Sequence, residues 1–177
     1  MKRKFLALFI SLFIFSYFSV FPVFAEETTT ISEEKLSNIE TNCASIKESL
    51  KRTQNADRNT RISLGRTYQS LLTDFITPLN VRLMKNNLFD SNLADLQTDF
   101  SYDRDFFNQN YINYSKEFEE LLSIDCKTSP KDFYSQLQKT RQERENVSSS
   151  ARILLNDVSD FSQAVTDYTT WFKEYKK

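Results

Sequence analysis

Histidine is absent from this chain, glycine occurs once, at Gly65, and proline three times. Each scarcity excludes something. Without imidazole there is no Ser-His or Cys-His nucleophile and no histidine-ligated metal. One glycine cannot form a phosphate-cradling loop, and the two cysteines, Cys43 and Cys126, cannot form a structural zinc site. A β-sandwich needs a turn signal about every ten positions, which Gly65, Pro22, Pro78 and Pro130 cannot supply. The expectation is an all-α protein of a few long helices, with no catalytic, cofactor or metal residue to assign.

The N-terminus is the most informative segment present. Lys2, Arg3 and Lys4 precede an apolar run from Phe5 to Phe24, and Val23-Phe24-Ala25 stands directly before Glu26-Glu27. A cationic start, an apolar core and small residues at the −3 and −1 positions read as a secretory signal peptide over residues 1–25, cleaved after Ala25. The rival is an uncleaved anchor holding the protein to the outer face of a membrane, because the run approaches the roughly 20 apolar residues of a span. Pro22 and the lack of a basic stop signal after Ala25 weigh against it. Position 26 is not cysteine, so bacterial lipoprotein attachment has no acceptor. Losing three of the 23 basic residues leaves 20 against 24 acidic ones, a charge of −4 that argues against nucleic acid as a partner. Residues 26–177 are the size of one domain.

Hydrophobic spacing places three helices, at about 30–84, 92–125 and 130–175. In the last, alternate steps of four and three from Phe133 reach Leu137, Thr140, Arg144, Val147, Ala151, Leu154, Val158, Phe161, Val165, Tyr168, Phe172 and Tyr175, and only Thr140 and Arg144 interrupt the stripe. That 3.5-residue period is a coiled-coil seam. Ser129-Pro130-Lys131-Asp132 supplies a cap and a helix-starting proline. The first helix carries Leu36, Ile39, Cys43, Ile46 and Leu50 behind a Thr30-Ile31-Ser32-Glu33 capping box, turns polar over 53–60 and resumes at Ile62. Pro78 predicts a kink near Thr77. The turn falls over 85–91, and the second helix carries Leu93, Leu96, Phe100, Phe107, Tyr111, Tyr114, Phe118 and Leu121. Short connections imply an elongated antiparallel three-helix bundle or coiled coil.

A chain that reverses around 85–88 sets residues level across the first two helices when their numbers sum to about 170–176. Cys43 and Cys126 sum to 169, which predicts a disulfide in an exported chain. The third helix starts level with Cys126, so Arg144 should lie near Asp57, with Asn110 bordering the seam at a similar height. Asp57, Arg144 and Asn110 are therefore expected to form a buried polar layer that fixes register. A binding or catalytic pocket is the sharper reading of the same residues.

Surface features give fewer assignments. Lys47, Lys51, Arg58 and Arg61 fall within about 80° of arc and form a possible surface-binding stripe for anionic lipid or an acidic polymer. The structural alternative pairs them with Glu117, Glu119 and Glu120. Asp95, Asp99 and Asp103 repeat every four residues without the glycine-bearing loop of a calcium site. Tyr102, Phe106, Phe107, Tyr111 and Tyr114 are too many for one helix face to bury, and Trp171 lies just off the seam; these aromatics are expected to wrap the outside of a thin three-helix core, the other reading being a protein contact, an oligomer interface or ligand stacking. Sequons at Asn113 and Asn146 matter only in a glycosylating host. The expected function is an exported non-enzymatic helical module that binds a protein partner or a cell-surface polymer, with membrane contact only if the N-terminal segment is retained. A hydrolase working through carboxylates alone is the weakest alternative. A helical bundle by itself fixes neither ligand nor oligomeric state.

Overall fold

A computed structural model describes residues 31–176, and the signal segment and its cleavage site lie outside the described residues. The described residues are helical and contain no strand: α1 (Glu33–Thr41), α2 (Cys43–Ser70), a π-helical stretch (Leu71–Ile76), α3 (Thr77–Lys85), α4 (Ser91–Ser123) and α5 (Pro130–Tyr175). The chain is an all-α helical bundle.

Local chemistry explains the element ends. The first cap is Ser32, whose Oγ accepts from the Lys35 N–H at 3.4 Å, two residues after the expected Thr30, which lies outside the described residues. Asn42 separates α1 from α2 and donates through Nδ2 to the Asn38 carbonyl and side chain at 3.1 and 2.8 Å. The polar stretch 53–60 runs within α2 without a break. Ahead of Pro78 the Thr77 N–H reaches back five residues to Leu72. Widening the turn draws the Asp74 carbonyl away from a ring that has no N–H to offer it, so the proline is absorbed by a π-helical stretch.

After Lys85 the chain reverses on Asn87, at φ 58°. Its N–H binds Met84 O and the Leu88 N–H binds Leu83 O, at 3.2 and 2.9 Å, which is a Schellman stop with asparagine in the left-handed position. Asp90 Oδ1 then caps α4 by accepting from the Leu93 N–H at 2.9 Å. Ser129 stands at the cap position of α5, but its hydroxyl makes no capping bond, so Pro130 in the first turn carries that start.

Side-chain contacts fix the directions. Asn80 donates to Leu93 O and Gln97 Oε1, and Arg104 donates to Gln69 Oε1, so α2 and α3 run antiparallel to α4. Gln136 donates to Glu117 O, and α4 packs along α5 over most of its length, also antiparallel. The core falls into two parts. Tyr68, Leu72, Ile76, Leu93, Phe100, Phe107, Leu154 and Phe161 fill the larger one, with the Tyr68 ring edge-on to Phe100 and Phe107. Cys43, Leu121, Cys126 and Phe133 fill the smaller one. Cys43 and Cys126 are bonded as a disulfide, their Cα atoms 5.5 Å apart. Such a bond belongs to an oxidising, extracytoplasmic environment. Among the described residues no helix is long and apolar enough to cross a membrane.

Candidate functional site

Between the two core clusters lies a polar layer. Thr140, which interrupts the α5 stripe, is buried because its hydroxyl lies between the Gln136 and Glu117 carbonyls, at 2.9 and 3.1 Å. Gln136 is buried as well and donates to the Glu117 carboxylate at 2.7 Å. The buried seam is therefore not apolar throughout; its polar members are tolerated because each finds a partner.

Arg144 meets Asp57 in a two-pronged pair, Nε to Oδ2 at 2.8 Å and Nη2 to Oδ1 at 3.0 Å. Tyr114, buried on α4, donates its hydroxyl to the same Oδ2 at 2.6 Å. Burial pushes the Asp57 carboxyl up, but the hydrogen bonds from Arg144 and Tyr114 and the guanidinium charge outweigh it and hold the group below its ordinary range. Burial, then the Asp57 hydrogen bond and charge, push the Tyr114 phenol up, and the hydrogen bond from Arg144 to Asp57 is the main cause raising Arg144. Asn110 does not join this group. It is buried, and its Nδ2 reaches the Asn146 carbonyl at 3.5 Å. Nor is the pair wholly buried: the Arg144 side chain is 58 % exposed and that of Asp57 20 %.

The exposure has a structural reason. α2 and α5 both pack on α4 and stand apart from each other here, leaving a cleft of about 380 Å³. Phe107, Tyr111 and Tyr114 of α4 form its floor, Leu64, Val147 and Ala151 its apolar sides, and Arg61, Arg141, Arg144 and Glu145 its charged rim. The side chains thus combine an aromatic base with a mostly cationic edge.

The basic stripe is divided by the fold. Lys51 and Arg58 are exposed, whereas Lys47 is half-buried and donates to the Leu122 carbonyl at 2.9 Å. Arg61 turns into the cleft, its guanidinium 5.2 Å from the Tyr111 ring centroid and its Nη2 3.4 Å from Asn108 Oδ1. Its Nε is buried without a hydrogen-bond partner. Among the described residues the ion pairs are Arg52–Glu48, Arg104–Asp105, Arg144–Asp57 and Arg152–Glu145, so Glu117, Glu119 and Glu120 do not pair with the stripe. The Gln136 amide takes the place of a lysine at Glu117.

Of the aspartate ladder, Asp103 and Asp99 lie near Asp157 of α5, while Asp95 is exposed. Burial first, then the Asp103 carboxylate, with Asp160 and Asp99 behind it, push Asp157 up to about 6. Among the described residues no group of three or more acidic or cysteine side chains is disposed to hold a metal ion. Of the α4 aromatics, Phe107 and Tyr114 are buried, Tyr111 half-buried, and Tyr102 and Phe106 exposed. Trp171 is exposed and lies between Tyr168 and Tyr175 at ring distances of 5.5 and 5.3 Å.

Sequence reasoning missed Tyr114 as the third member of the charged pair, and Arg61 and Arg141 as cleft residues. A signal for Tyr114 was present: its number and that of Asp57 sum to 171, inside the range for level residues, whereas Asn110 gives 167. No family model matches the chain, and no curated protein or solved structure matches it.

Proposed function

We propose that the protein is an exported, non-enzymatic helical module, an elongated three-helix bundle behind a cleaved signal peptide, that binds a protein partner or a surface polymer. The observation that carries the reading is the cleft between α2 and α5, where the half-buried Tyr111 ring lies with Leu64, Val147 and Ala151 beneath an arginine-rich rim. Aromatic and arginine side chains gathered in a concave site are the residues that dominate protein recognition. The disulfide supports export. The state of Asp57 supports a binding role over hydrolysis. Asp57 is bound by Arg144 and Tyr114 and held below its ordinary pKa, so it is not poised as a general acid.

Site-specific photo-crosslinking in the native host tests this reading. A crosslinking residue at Ser148, in the cleft wall, captures a partner that one at exposed Ser135 does not. Equal capture at both positions, or at neither, ends the assignment of this face.

A further inference from the structure

The geometry points to the occupant of the α2–α5 cleft as a segment of a partner polypeptide that presents a carboxylate next to an aromatic or aliphatic side chain. This deepens the binding role proposed above and rests on it. Charge is the first argument. Asp57 is neutralised by Arg144 and Glu145 is held by Arg152, whereas Arg61 and Arg141 have no carboxylate within ion-pair distance among the described residues. The cleft therefore carries two uncompensated guanidinium groups. The Arg61 Nε–H is also buried with no acceptor. A buried donor without a partner is costly, and a carboxylate approaching the Arg61 guanidinium from the cleft offers it a charge-assisted hydrogen bond that no carboxylate of this chain supplies.

The floor supplies the second requirement. Beneath these cations lies a half-buried apolar surface of Tyr111, Leu64, Val147 and Ala151, so the ligand has to offer apolar surface together with its negative charge. A plain inorganic anion would leave this surface uncovered. An apolar group without charge would desolvate the arginines and give them no partner.

Shape decides between a small molecule and a chain. The wall residues on α5 run from Arg141 to Ala151, roughly 15 Å at the helical rise. Much of the rim, including Thr60, Arg141, Arg144, Glu145 and Ser148, is exposed. Small-ligand sites bury about 70–90 % of their ligand, which an open trough of this length does not do. An extended segment of about four or five residues matches the length, with alternate side chains directed to the floor.

The test titrates the purified, disulfide-intact protein with a capped pentapeptide alternating glutamate and phenylalanine. Two analogues, one with glutamine for glutamate and one with serine for phenylalanine, serve as comparisons. The glutamate–phenylalanine peptide is expected to bind at least about tenfold more tightly than either analogue. Arg61→Gln and the exposed Arg141→Gln are each expected to weaken it by about five- to tenfold, while Arg58→Gln, outside the cleft, leaves it unchanged. Because Arg141 is exposed, that variant reads the interaction even where the Arg61 substitution disturbs packing. Equal affinity for the glutamine peptide, an Arg58→Gln effect as large as the Arg141→Gln effect, or no peptide binding at millimolar concentration overturns the inference. If crosslinking at Ser148 persists while the peptides fail, the cleft remains the binding face and only this ligand class is discarded.

Discussion

Removing one oxygen atom from Tyr114 probes the polar layer at its least exposed point. In Tyr114→Phe the ring stays, so its edge-on contacts with Tyr111 and Phe118 survive. What disappears is a 2.6 Å hydrogen bond to a carboxylate. Bonds to charged groups contribute about 1.5–3 kcal/mol. The lower end applies, because Asp57 keeps both contacts with Arg144 and retains access to solvent. A loss of about 1.5 kcal/mol corresponds to a fall of about 3–6 °C in melting temperature for a chain of this size.

The same bond should respond to pH. Asp57 titrates below its ordinary value in the folded protein, so its contribution is complete above the unfolded carboxylate range, near pH 4, and is lost as pH falls through the lower folded value. The wild-type and Tyr114→Phe melting curves, separate at pH 7, should therefore converge in strong acid. Urea denaturation followed by circular dichroism supplies the free energies. A cycle with Asp57→Asn should show coupling of about 1 kcal/mol, since the hydroxyl loses its charged acceptor. A Tyr114→Phe protein within about 0.3 kcal/mol of wild type at pH 7, or a cycle with additive losses, refutes the account of the layer.

Reducing the disulfide opens a link across 83 positions, for which the chain-entropy relation gives about 4.6 kcal/mol; Cys43→Ala with Cys126→Ala should melt roughly 10–15 °C lower, and a drop under about 3 °C would show that the link contributes little. Asp157→Asn should stabilise the protein at pH 7. A folded value raised to about 6 means that the folded state holds a proton the unfolded state releases, so stability falls as pH rises from about 4 to 6 and the deficit persists above. With solvent screening the gain is about 1 kcal/mol, and thermal melts at pH 5 and pH 8 that move in parallel for both proteins would contradict it.

The parts legible from sequence depend on distances along a single helix. The scarcity of glycine and proline excluded sheets, and helical rise with one reversal set Cys43 level with Cys126, which are bonded. The same rise set Arg144 near Asp57, which it contacts at 2.8 Å. Height does not specify the direction of a side chain around the helix axis. Asn110 has a similar height, yet its amide reaches the Asn146 carbonyl, and the Tyr114 hydroxyl occupies the place beside the carboxylate. The basic stripe shows the same limitation. Lys47 and Arg61 bend toward α4 while Lys51 and Arg58 remain in solvent, because the neighbouring helix covers only part of the arc they share.

From composition and periodicity alone follow the helical class, the placement of the reversing turn and the pairing of the two cysteines. These depend on backbone propensity and rise, which are properties of the chain itself. Only the tertiary structure decided the rest. α2 and α5 stand apart over a floor of α4 aromatics, Arg61 points inward with a buried, unpartnered donor, and Asp157 shares its surroundings with Asp103 from the opposite helix. Each of these depends on the rotation and separation of helices against one another, set by how large rings such as Tyr68, Phe100 and Phe107 interlock, and that packing has no period in the sequence.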